Sequence, residues 1–131
     1  EAPSLEPGAY WHNLPYIIGR VRDAAGKAVL DARVEIRVNR ELAVPVDTGW
    51  PNPMCTNAAT KGFFSFLPRP LLSSSKTRRL RLEVVVEHPE FERQMQCRTL
   101  NTRGELVTYQ YIQPDRILDL GQISLERLPS A

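Results

Sequence analysis

Nowhere in this chain do about 18 apolar residues follow one another, so no segment is long and apolar enough to cross a bilayer as a helix. Arg, Glu or Pro interrupts every apolar stretch. No apolar pattern of 3.6-residue period runs beyond a turn or two, which excludes a helical bundle. The chain has no CxxC or Cys/His spacing of a zinc site, no Gly-x-Ser-x-Gly elbow, no HExxH and no phosphate-cradling glycine loop. With them go the chemistries that those motifs serve, and no metal or cofactor is expected. Charge of one sign is equally scarce: 17 Lys and Arg against 15 Asp and Glu leave +2, too little to imply a nucleic-acid partner or a membrane surface. Neither nucleic-acid binding nor membrane insertion is expected. No Met and no charged-then-apolar leader precede the opening "EAPSLEPGAYWHNLP", as in a processed chain. No internal repeat is visible.

Cysteine is nearly absent too. Cys55 and Cys97 lie on separate segments and read either as a disulfide or as two buried thiols, the disulfide being the expectation. A bridge closing a loop of about forty residues would add on the order of 3–4 kcal/mol in the chain-entropy account. It would also place the protein in the periplasm or outside the cell.

What is present is alternation. At 131 residues and 42% hydrophobic content the chain fits one domain with one core. Residues 1–15 hold three prolines and no period, so they read as an extended arm on the domain surface. The domain proper runs over residues 16–128, with a tail at 129–131. "IIGRVRDAAGKAVLDARVEIRV" reads as strand, turn at Gly26 and strand, a hairpin-like unit. Within it Val34, Ile36 and Val38 alternate with Arg33, Glu35 and Arg37, the pattern of a sheet with one wet face.

Pro45, Pro51 and Pro53 make "AVPVDTGWPNPMC" a loop. Phe64 and Phe66 share a face in "FFSF", after a turn at Gly62, and a serine-rich basic connection, "RPLLSSSKTRR", follows. "RLRLEVVVEH" turns Leu80, Leu82, Val84 and Val86 inward and Arg79, Arg81, Glu83 and Glu87 outward, and Pro89 ends it. Phe91, Met95 and Cys97 share one parity, which points Cys97 at the core or its edge. "ELVTYQYI" is a weaker strand. In "ILDLGQISLERL" the apolar parity changes at Gly121, as a β-bulge would make it change. About seven short strands separated by turn residues predict an all-β sandwich or barrel.

The residues Gly19, Val21, Asp23, Gly26, Ala32, Val34 and Ile36 fall on the pattern G-x-V-x-D-x-x-G-x-x-[VI]-x-x-A-x-V-x-[IV]. It resembles the pattern shared by carboxypeptidase regulatory-like domains and intradiol ring-cleavage dioxygenases, both transthyretin-like. "TNAATKGFFSF" and "LDLGQISL" are similar to later strands of the same families. The resemblance implies a transthyretin-like Greek-key β-sandwich. The dioxygenases hold iron(III) with two tyrosines and two histidines, and this chain has Tyr10, Tyr16, Tyr109, Tyr111, His12 and His88. None of them falls on the family's ligand positions: "NRELAVPVDTG" lacks the tyrosine, and "RLRLEVVV" stands where His-x-His is expected. Nor does "LERLPSA" match the Tyr-Arg-Gly-Ser end of hydroxyisourate hydrolases.

The expected role is therefore not enzymatic: an exported interaction or accessory domain that holds another protein, with homodimerisation through a sheet edge open. Two alternatives remain, a carbohydrate or small-ligand module using loop aromatics and a divergent dioxygenase relative. The candidate contacts are Trp50 and Asn52 in the proline-rich loop, Tyr109 and Tyr111, and Arg79 and Arg81 of the basic group that also includes Lys76 and Arg78. Each has a plainer reading, Trp50 as a lid on the core and the arginines as a solvated strand face. Tyr10, Trp11 and His12 are expected to anchor the arm.

Overall fold

The computed structural model describes residues 10–46, 50–104 and 116–129. Among them are ten strands and no helix. They are β1 (Tyr10–His12), β2 (Tyr16–Asp23), β3 (Arg33–Val38), β4 (Glu41–Leu42), β5 (Met54–Cys55), β6 (Phe63–Phe66), β7 (Leu71–Ser73), β8 (Thr77–His88), β9 (Phe91–Arg103) and β10 (Ile117–Leu125). Four of the ten have only two or three residues, short edge pieces beyond the seven or so strands that the sequence announces. The expected strand in "ELVTYQYI", most of the arm and all but the first residue of the tail lie outside the described residues.

Three strands in the order β10-β2-β6 form one sheet, and β4-β3-β8-β9, with β5 also on β3, form the other. Their inner faces share one core. Ile17, Val21, Phe64, Phe66, Ile123 and Leu125 come from the first sheet, and Val34, Ile36, Leu80, Leu82, Val84 and Val86 from the second. Every one of these side chains is buried. Full burial of one such side chain contributes roughly 1.5–3 kcal/mol, so this alternation is the main folding force. A small third sheet, β1 against β7, closes one end.

The opening unit is not a hairpin. β2 and β3 lie in different sheets. The turn forms as expected, with Gly26 at φ +82° and the Asp23 carboxylate accepting from the amides of Ala25 and Lys27. The returning chain pairs with β2 only briefly, at the Arg22–Ala28 bridge, where the Asp23 amide donates to the Lys27 carbonyl and the Val29 amide to the Val21 carbonyl. It then crosses to the opposite sheet, where the Thr56 hydroxyl donates to the Val29 carbonyl (2.7 Å) and accepts from the Ala32 amide (3.0 Å).

Two further expectations change. The outer face of the larger sheet is dry at its centre, where Glu35 and Glu83 are each 7% exposed and Val85 is fully buried. Arginine side chains lie over it: Arg33 and Arg37 both pair with Glu35, Arg81 with Glu83 (3.5 Å) and Arg93 with Glu87 (3.7 Å). The arginine side chains themselves stay 37–55% exposed.

The disulfide is absent. Cys55 and Cys97 are free, and both are exposed. Cys55 sits on β5 opposite Arg33 and Cys97 on β9 opposite Glu83, with β3 and β8 between them. Three strand spacings of about 4.8 Å, with a further offset of four residues along the strands, hold the two Cα atoms more than about 14 Å apart, against at most about 7 Å for a bridge. Neither is Cys97 turned to the core. A register shift beside Val86 and His88 inserts an extra residue after Phe91, so Phe91 faces inward while Met95 and Cys97 face out. The expectation of export stood on that bond and loses its basis.

Candidate functional site

The loop residues singled out in the sequence are structural clamps. Asn52 fills a gap in the ladder on β3, between the stretch paired with β5 and the stretch paired with β4. Its carboxamide donates to the carbonyls of Ile36 (2.8 Å) and Ala43 (2.7 Å) and accepts from the Ile36 amide (3.1 Å), as a neighbouring strand would. Trp50 is half-buried and packs against the core cluster. Tyr109 and Tyr111 lie outside the described residues.

His12 is fully buried in the end sheet. Its Nε2–H donates to the Ser75 carbonyl (2.8 Å), leaving Nδ1 against the Thr102 hydroxyl (2.8 Å). Gly104 leaves room for that ring, since a Cβ there would stand 2.8 Å from His12 Nε2. His88 is engaged elsewhere, its Nδ1 accepting from the Glu90 amide (3.0 Å) and its ring meeting Phe91 edge-on at 5.1 Å. Among the described residues no three His, Cys, Asp or Glu side chains converge as a metal site would require.

A groove of about 540 Å³ runs between the segment after β4 and β7. Leu14 and Ala43 are buried in its lining, while Leu42, Val44 and Leu72 are half-exposed along it. Its charged residues include Glu41, Arg69 and Arg78, and the Arg69 guanidinium donates to the Pro45 carbonyl (3.1 Å). Nothing in its lining supplies a nucleophile beside a base.

The opposite margin of the same sheet differs. β9 runs for 13 residues and pairs with β8 along one side. Its other side meets β10 only at its beginning, through the Phe91–Arg127 bridge and the Glu92 amide. From Arg93 to Arg103 no strand among the described residues pairs with that side. The stretch is mostly exposed, with only Leu100 and Thr102 buried. β9 carries Gln94, Gln96 and Arg98 on its inner parity opposite Val86, Val84 and Leu82, and none of the three is buried.

Arg79 and Arg81 belong to this margin. Arg79 stands opposite Asn101 and Arg81 opposite Thr99. Arg81 pairs with Glu83 and also reaches Cys97 Sγ (3.5 Å). Small clefts of about 360 and 340 Å³ flank the two, one of them including Arg98 and the other Arg103. The sequence reading named Arg79 and Arg81 but missed Arg98 and Arg103. The signal was legible, since "TRRLRL" and "RTLNTR" contain no acid.

Comparison of the chain with protein-family models, with characterised proteins and with solved structures finds no match.

Proposed function

We propose that the chain is a non-catalytic protein-interaction domain that engages another protein along the free edge of β9. The supporting observation is the stretch from Arg93 to Arg103, whose outward backbone groups have no strand partner among the described residues. Unpaired N–H and C=O groups in a row form a template for a further strand. The scaffold positions this template rigidly, because β8 pairs with β9 along almost its whole length.

Site-specific photo-crosslinking in the source cells tests the reading. A photoreactive residue at Thr99 should give a discrete adduct with a second protein, whereas one at Leu128, exposed but off this edge, should not. No adduct from any position between Arg93 and Arg103 would remove the proposal.

A further inference from the structure

The proposed edge carries a charge pattern that narrows its partner, and the inference below rests on the interaction reading above. Thr77–Leu82 of β8 and Arg98–Arg103 of β9 contain five arginines and no carboxylate, and Lys76 adjoins them. These six cations exceed the net charge of +2 for the whole chain, so the remainder is net acidic. Four of the 15 acids follow farther along the same hairpin, at Glu83, Glu87, Glu90 and Glu92. There Glu83 and Glu87 are paired with Arg81 and with Arg33 and Arg93. At the basic end Lys76, Arg78, Arg79 and Arg103 form no ion pair among the described residues. Arg98 reaches only its neighbours, the Cys97 carbonyl and the Gln96 side chain.

The cations lie on both sides of the sheet. Arg103 shares the outward parity of Arg79 and Arg81, and Arg98 the inward parity of Leu100. A strand laid against this edge would therefore meet positive charge on both of its faces.

The same residues oppose pairing between two copies of the chain. Antiparallel self-pairing over the whole free stretch sets Arg93 against Arg103 and Arg98 against its own copy. Like charges directly opposite each other destabilise a sheet. The occupant that satisfies both the backbone and the charge is a segment that is extended and acidic.

We infer that the β9 edge from Arg98 to Arg103 accepts an extended, acidic segment of a partner protein as an added strand, with the acids of that segment neutralising Arg79, Arg98 and Arg103.

A fluorescein-labelled nonapeptide, Glu-Val-Thr-Asp-Glu-Thr-Val-Asp-Glu, which sets acids on both faces and Val or Thr amides on both edges of an extended strand, tests it by fluorescence anisotropy against the whole chain. Binding should weaken at least tenfold when every acid is replaced by Lys, and at least tenfold when the Val and Thr amides are N-methylated, which keeps the charge but removes backbone donors. The double variant Arg98→Ser, Arg103→Ser should lose at least tenfold while its circular dichroism and unfolding midpoint stay unchanged. The peptide controls need no variant, so the test holds even if that protein folds poorly. An N-methylated peptide, or a 12-mer oligothymidylate, that binds as tightly as the nonapeptide would show attraction by charge alone and overturn strand addition. A Gln-for-Glu, Asn-for-Asp peptide that binds equally would overturn the acidic preference while leaving the edge itself in use. No binding of the nonapeptide, with self-association of the arginine variant, would make the arginines guards against edge pairing and overturn the inference.

Discussion

Asn52 does at the scale of one residue what a strand does at the scale of an element. Both the amide and the carbonyl of Ile36 are answered by its carboxamide, and Ala43 gives it a third contact. Replacing Asn52 by Ala should lower stability by about 1–3 kcal/mol, the usual cost of leaving partly buried backbone groups without partners. Asn52→Asp should cost more, since it sets a carboxylate against two carbonyls. Urea unfolding followed by circular dichroism measures both, and a loss below about 0.5 kcal/mol, typical of an indifferent surface position, would refute the clamp. None of this was legible in the sequence, where a proline-flanked Asn beside Trp50 suggests a contact for a ligand. Thr56 was equally opaque, because it takes its hydrogen bonds from residues at least 24 positions away; for His12 the sequence offered the anchoring role but not the partners Ser75 and Thr102, which lie 63 and 90 positions away.

Among the elements, the strands that bury one face were readable because their period is imposed by burial. β3, β6 and β8 turn inward the residues that alternation selects, Val34, Ile36, Phe64, Phe66, Leu80 and Leu82 among them. The two bulges divide instructively. That in β10 announced itself through Gly121, which sits at φ +68° between the shifted pairs of Asp119 and Gln122. That in β9 has no glycine to mark it, and so the facing of Cys97 was misjudged. Glycine serves β2 differently: at Gly19 a Cβ would stand 2.6 Å from Phe64 Cζ, so the aromatic ring occupies the space that a side chain would need.

Gly19→Ala should therefore cost about 1–3 kcal/mol through overpacking, and Gly121→Ala about 1 kcal/mol through backbone conformation. Adding Phe64→Leu should relieve part of the first cost and none of the second. A double-mutant cycle on unfolding free energies reads the difference, and equal coupling of Phe64 to both glycines would contradict this assignment.

Over the whole molecule, sequence alternation conveyed an all-β sandwich but not which strands adjoin. The strand–turn–strand unit at the start looked local, whereas its two strands belong to opposite sheets. The neighbours of β2 are β6 and, in parallel, β10, and a parallel partner leaves no hairpin signal between the two. Ile123 and Leu125 of β10 lie in the common core. A chain ending before Ile117 should therefore show no cooperative unfolding transition, which thermal denaturation followed by circular dichroism would reveal; a sharp transition in that fragment would contradict the dependence.

That parallel pair also has a consequence in time. Its paired residues, Tyr16 with Ile117 through Asp23 with Leu125, stand about 100 positions apart in the chain, and contacts of such separation form late and slowly. On the ribosome β2 emerges early and waits, one edge unanswered, until the end of the domain has been made. The first strand of the sandwich to be synthesised is thus among the last to be completed, and during that interval the edge that β10 will take stays open to other pairings.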